Sequence, residues 1–272
     1  MIEAFSYPFM QRALVIGLVV ATLCAVLSVY VVLKRWAFIG QGISHAAFGG
    51  VALGLLLGVN VTWTSIGFCL LTAYLIGSTS RRGRVSADSA IGIFLTASMA
   101  LGVMFIWMRR GYTVDVFSYL FGNILATDSA DLWTTLAVGA IVLGFVALFY
   151  KELWYFSFDP EMARVTGVPV EFLYYGLLTL ISLTVVVAIR VVGLILVSAL
   201  LILPAATARP LSTRLLWMTF LSAGTAVAAV FAGLWLSYAW GMPSGATIVL
   251  ALFAMFVVSL ALAPPRRAGA QG

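Results

Sequence analysis

The chain has 272 residues, of which 63% are hydrophobic and only 9% are charged. Ordinary soluble domains carry about a quarter charged residues, so most of this surface cannot face water, and the bilayer is the expected solvent. The formal charge of +6 is spread in small groups between apolar runs, the pattern of membrane-flanking loops rather than of a nucleic-acid-binding face.

The first apolar run, placed at 10–33, begins near Phe9 and ends in Lys34-Arg35 without a small-residue cleavage site, which marks a retained span rather than a signal peptide. Further spans are expected over 37–58, 62–79, 89–108, 131–150, 171–189, 192–208, 214–236 and 244–263. Each approaches the about 20 apolar residues that carry a helix across a hydrocarbon core of roughly 30 Å. The expected fold is all-α: one transmembrane domain over 1–272 with about eight to ten membrane helices. The stretch Tyr112 to Leu125, broken by Gly122 and Asn123, reads as a re-entrant or interfacial piece. Cys24 and Cys69 lie inside apolar runs, where a thiol acts as a small hydrophobe. No segment is long and polar enough to form a soluble energy-coupling domain, which must then be another chain.

Lys and Arg at 34, 35, 81, 82, 84, 151, 164, 209, 214, 266 and 267 fall on one side of these spans, and only 12, 109, 110 and 190 on the other. That excess sets the first group inside, with the N-terminus outside and the C-terminus inside if the spans number nine. The inner loop 151–171 outlines a short amphipathic helix, with Asp159 as cap, Pro160 at the first helical position, Glu161 in the first turn and Gly167 as the stop. Such a helix either docks on a partner or connects two spans.

His45, the chain's only histidine, lies inside the second span. With a start near Ala37 and a rise of about 1.5 Å per residue it sits roughly 12 Å in, close to the midplane. Gln41 falls on the same face one turn earlier and Gly49 one turn later, a stripe that should face something other than lipid. Neutral imidazole ligates zinc and other borderline ions, whereas a Gln amide oxygen is a weak ligand. The pair is open to two readings, a metal path or hydrogen bonding between helices. Gly50, Gly54 and Gly58 follow at four-residue steps, a smooth ridge suited to close helix packing. Asp88 is expected to cap the fourth span, Asp115 begins the broken segment, and Arg190 sits between two spans at the outer side. There is no phosphate loop, no His-Glu-x-x-His pair and no Gly-x-Ser-x-Gly elbow, so no catalytic residue is assigned and the chain is not expected to be an enzyme.

Several of these stretches carry a family pattern. Phe9-Met10-Gln11-Arg12-Ala13-Leu14, Val31-Val32-Leu33-Lys34-Arg35 and Ile39-Gly40-Gln41-Gly42-Ile43-Ser44-His45-Ala46 resemble the opening of the zinc/manganese ABC-transporter permease family. Ser89-Ala90-Ile91-Gly92-Ile93, Tyr119 to Leu125, Phe158 to Ala163 with Gly167, and Val192-Gly193-Leu194 through Leu203 to Ala208 continue the likeness in the family's order. The resemblance implies a homodimeric permease with a type-II importer-like fold in the plasma (inner) membrane. It implies two ATP-binding subunits inside and an extracytoplasmic metal-binding protein outside. No cofactor is expected to be bound permanently; ATP belongs to the partner subunit, and a divalent metal is cargo. The resemblance also makes 158–167 the coupling helix, with Asp159, Pro160, Glu161, Ala163 and Gly167 as its residues. In the family the segment matching Gly40 to His45 usually reads Gly-Asp-x-x-Ser-His, with the Asp and His lining the ion path. His45 and Ser44 carry over, whereas Gln41 stands where the Asp is expected. The text from Ser44 to Gly54 is similar to zinc members, so zinc is expected over manganese. The alternatives are a permease for iron-chelate (siderophore) or cobalamin uptake and a stand-alone secondary transporter.

Overall fold

A computed structural model describes residues 8–81, 83, 85–109 and 129–262. Arg82, Arg84, Arg110, the Tyr112 to Leu125 segment with Asp115, and Arg266 and Arg267 lie outside the described residues. The described chain is helical throughout: α1 Pro8–Leu33, α2 Ile39–Leu57, α3 Val61–Arg81, α4 Ala87–Met108, α5 Ser129–Leu148, α6 Tyr150–Phe158, α7 Pro160–Val165, α8 Val170–Leu200, α9 Leu203–Ala208, α10 Leu215–Trp240 and α11 Ser244–Leu262. Eight of the described helical stretches are long and apolar enough to cross a membrane, the longest being Val170–Ala208.

That longest stretch contains the main departure from expectation. Two spans, 171–189 and 192–208, were to be separated near Arg190, but the helix continues through Arg190 and breaks at Gly193, with φ 81° and ψ 165°. Only glycine occupies that region without strain, so the break is encoded in one residue. The chain then reverses. Arg190 meets Asp131 at the start of α5, whereas Leu201 contacts Gly40 at the start of α2. Ala205 and Ala208 lie with Leu33 and Tyr150 at the opposite end of the bundle. Counting the returning half as a passage gives nine among the described residues.

Aromatic side chains mark the outer boundary. Trp63, Trp107, Trp133 and Trp240 are all exposed, and all sit at ends of α3, α4, α5 and α10 on the side opposite the Lys34 cluster. Amphipathic rings prefer the headgroup level at either interface, so these four mark one end of the bundle. The core surrounds α8, which packs against α1, α2, α3, α5 and α11. Its buried residues include Leu173, Leu177, Ile181 and Val185 at helical spacing.

Local caps differ in one respect from expectation. α4 is capped by Ser86, whose hydroxyl accepts from the Ser89 amide at 3.2 Å, and Asp88 occupies the first turn, where its charge faces the positive helix end. The Gly ridge of α2 is also divided. A Cβ at Gly50 would lie 2.5 Å from the Ser65 Cα, and one at Gly54 would meet Thr64, so α3 approaches here at backbone distance. Gly58 has open space around it and ends the helix at φ 67°.

Candidate functional site

α2 begins at Ile39 and ends at Leu57, so His45 lies about a third of the way along rather than at the middle, near the inner half of the span. The two residues of expected helix before Ile39 instead form the turn that follows Trp36. Most of α2 is buried: Ile39, Gly40, Gly42, Ile43, Ser44 and Ala46 are covered by neighbouring helices. Gln41 is exposed and His45 and Phe48 are partly so, forming an accessible stripe in the first half of α2, while Leu53, Leu55 and Leu56 are partly accessible in the second. Gly49, expected on this stripe, is buried, where a Cβ would lie 2.9 Å from a Phe68 ring carbon and from the Ser98 carbonyl. Ser44 also points away from the stripe and is fully buried. The structure therefore brings Gln41 and His45 to one open face and separates Ser44 from them.

Among the described residues neither Gln41 nor His45 makes a side-chain hydrogen bond, so nothing there acts as interhelical glue. No group of three or more His, Cys, Asp or Glu converges among the described residues either. One imidazole and one amide on an open face are too few donors to hold a metal by themselves.

The inner end of the molecule is organised around α6 and α7. Asp159 caps α7 as its position suggests, accepting from the Glu161 amide at 3.1 Å and the Met162 amide at 3.0 Å. Pro160 opens the helix, and Gly167 follows it at φ 84°. Ala163 is fully buried beneath this turn, so its side chain is unavailable for docking. The exposed residues of this turn are Glu161, Met162, Arg164, Val165 and Thr166, with Val165 81% exposed.

Sequence reasoning missed how this platform is tied to the spans. Lys34, counted only for orientation, donates to the Phe156 carbonyl at 3.0 Å and stands over its ring at 4.0 Å. Burial pushes its ammonium down to about 8. Trp36, just before α2, meets the Tyr174 ring edge-on at 5.1 Å, and Arg81 at the end of α3 pairs with Glu171 at 2.7 Å. α1, α2 and α3 are thus each fastened to α6 or to the start of α8. The missed signal was the coincidence of cation and aromatic at span ends, which sequence alone also explains as interface anchoring.

An all-helical bundle with a reversing helix, an accessible imidazole on a mostly buried span and a short capped helix between spans has the build of a polytopic membrane subunit. The chain belongs to the ABC 3 transport family, which matches residues 6–263. It is 40% identical over 262 residues to a manganese transport system membrane protein, MntC, of Halalkalibacterium halodurans, covering 96% of this chain and 90% of that protein. It is 36% identical to the manganese import system permease protein ScaB of Streptococcus gordonii, covering 96% and 94%. Among solved structures, PsaBC from Streptococcus pneumoniae, in complex with Fab, superposes with a TM-score of 0.87 at 36% identity, over 98% of this chain and 96% of that one. A metal-chelate type ABC transporter in an inward-facing conformation shares the fold at a TM-score of 0.73 and 17% identity, over 93% and 86%. This chain is a metal ABC-transporter permease, a multi-pass protein of the cell membrane. The expectation of zinc over manganese finds no support in these relatives, whose names specify manganese.

Proposed function

We propose that this chain is the permease subunit of an ATP-driven importer of divalent metal, with manganese as the cargo, and that the ion passes the open stripe of Gln41 and His45. The observation that carries the reading is that stripe: the one imidazole of the chain, accessible on an otherwise buried membrane helix and free of hydrogen bonds among the described residues. An ionisable group in such a position has a functional rather than a packing explanation. The names of MntC and ScaB support manganese. So does donor chemistry, since an amide oxygen suits a hard ion better than zinc. A weak half-site suits transport, because an ion held by a complete cage leaves slowly.

In this reading ATP binds to a partner chain that seats on Glu161, Met162 and Val165 of α7, and the ties at Lys34, Trp36 and Arg81 carry the displacement into α1, α2 and α3. An extracytoplasmic binding protein delivers the ion at the opposite end, and a second copy of this chain closes the stripe. The test is His45→Ala in cells lacking other importers: uptake of labelled manganese at limiting concentration is lost while the subunit still reaches the membrane. Undiminished uptake overturns the path. In the same cells excess unlabelled manganese should suppress uptake at lower concentration than zinc, and the reverse order would return zinc as cargo.

A further inference from the structure

α6 is a short helix with two unlike faces. Leu153, Phe156 and Ser157 are buried against the bundle, whereas Lys151, Trp154, Tyr155 and Phe158 are exposed. At about 100° of turn per residue these four fall within about 100° of one another, so one side of the helix offers three aromatic rings and one cation. Trp154 meets Tyr155 at 5.0 Å and Phe158 at 5.5 Å between ring centroids, which makes the rings one patch. The turn of α7 that follows exposes Glu161, Arg164 and Thr166 among its residues, the mixed set of a face in water. An exposed patch of three large rings calls for a cover of a different kind.

The connection to α5 limits where this patch can stand. The backbone ladder runs through the join, with the Phe149 amide donating to the Phe145 carbonyl at 3.0 Å and the Leu153 amide to the Phe149 carbonyl at 2.8 Å. α5 and α6 thus follow one another as a single rod with a bend at Phe149, whose backbone departs from helical values. Trp133, exposed near the start of α5, belongs to the aromatic belt at the far end of the bundle. Trp154 follows it after 21 residues, at most about 32 Å along the rod, and the bend only shortens this reach. The hydrocarbon core is roughly 30 Å thick and the whole bilayer about 40–45 Å. With Trp133 in one headgroup layer, Trp154 and its neighbours end in the other and cannot stand clear of the membrane. The lipid-facing side of α5 leads into the same patch, since Ile141, Leu148 and Tyr155 are exposed at seven-residue steps.

We propose that α6 is a membrane-surface helix: Trp154, Tyr155 and Phe158 insert at the boundary of acyl chains and headgroups on the α7 side, and the Lys151 ammonium reaches the lipid phosphates beside them. Indole and phenol rings favour that depth because each has an apolar body and a polar edge, and a lysine stem lies along the apolar layer with its charge among the headgroups. Phe172, exposed at the start of α8 and 5.4 Å from the Phe149 ring, extends the aromatic band. Lipid, not protein, covers this face, and α7 hangs from a helix held at a fixed depth. The assignment holds whatever ion is carried, so it stands apart from the proposed metal path.

Bimane attached to single cysteines of the full-length protein in phospholipid nanodiscs tests this. Cys24 and Cys69 are fully buried, so an introduced thiol is labelled alone. Labels on Tyr155→Cys and Phe158→Cys should be quenched by phospholipid carrying a nitroxide near its headgroup several-fold more than a label on Val165→Cys, and by aqueous iodide several-fold less. Adding the ATP-binding subunit should leave the lipid quenching at 155 and 158 unchanged. Iodide quenching at these two positions equal to that at 165 overturns the proposal, as does lipid quenching that the subunit abolishes, which would give the face to a protein partner. A second measurement needs no introduced thiol: the emission lost on Trp154→Phe should be several-fold smaller in bilayers of phospholipid brominated near the headgroup than in ordinary ones, and a loss of equal size in both overturns the assignment too.

Discussion

His45 and Gln41 show how much a single substitution leaves to chemistry. The accessible stripe carries an imidazole, a good ligand for borderline ions, and an amide, a weak one, so under the proposed path its affinity would depend on further oxygen donors. Gln41→Asp restores a carboxylate one turn from the imidazole. It should lower the metal concentration for half-maximal uptake by about tenfold, equivalent to ~1.4 kcal/mol, with slower release as the counter-effect. Uptake kinetics of labelled manganese in cells would show this, and an unchanged half-saturation would mean that position 41 does not touch the ion. His45 itself was legible from its place in an apolar run. Its depth was not, because the turn after Trp36 takes two residues that hydrophobicity assigns to the span.

In the proposed reading, coupling to the ATP-binding subunit runs through α7. Met162 and Val165 project from a helix of one and a half turns, capped by Asp159 and stopped by Gly167, and their exposed apolar side chains need a cover. Met162→Asp should reduce co-purification of the ATP-binding subunit and stop ATP-driven uptake while leaving α7 intact, since that side chain is 57% exposed; full assembly would remove α7 from the docking face. The Lys34 tie carries a pH signature. Its group is held low by burial, so it is charged below about 8 and neutral above, and the cation over Phe156 disappears as the pH of the inner face rises through that value. Uptake into proteoliposomes should therefore decline on the alkaline side of about 8. Lys34→Arg, which stays protonated, should flatten that decline, and Lys34→Met should lower uptake at every pH. The Arg81 and Glu171 pair is exposed on the carboxylate side, so its contribution is geometric, with only about 0–1 kcal/mol of stability in it.

At the scale of the whole molecule the half-site predicts cooperation between copies. If a second chain completes the ring of donors around the ion, a complex with one wild-type and one His45→Ala protomer should lose uptake as fully as the double variant; half-activity would assign each protomer its own path. Much of this architecture was readable in advance. Hydrophobic length placed the spans to within a few residues, as at 244–263 against Ser244–Leu262, because a bilayer fixes helix length almost independently of packing. Turn residues gave the Asp159 cap and Gly167 stop, since each is a local property of a few side chains. What the sequence by itself determined, then, is the class of protein, the placement of its apolar helices, the capped helix after Asp159 and the lone histidine inside an apolar helix. The tertiary structure alone decided which face of α2 stays open, that Ala163 is buried while Met162 is not, that α8 turns back at Gly193, and that Lys34, Trp36 and Arg81 fasten the platform. In a chain that is apolar on nearly every face, hydrophobic periodicity cannot say which side of a helix meets protein and which meets lipid. That choice is made by the shapes of neighbouring helices, down to a glycine that lets one backbone touch the next.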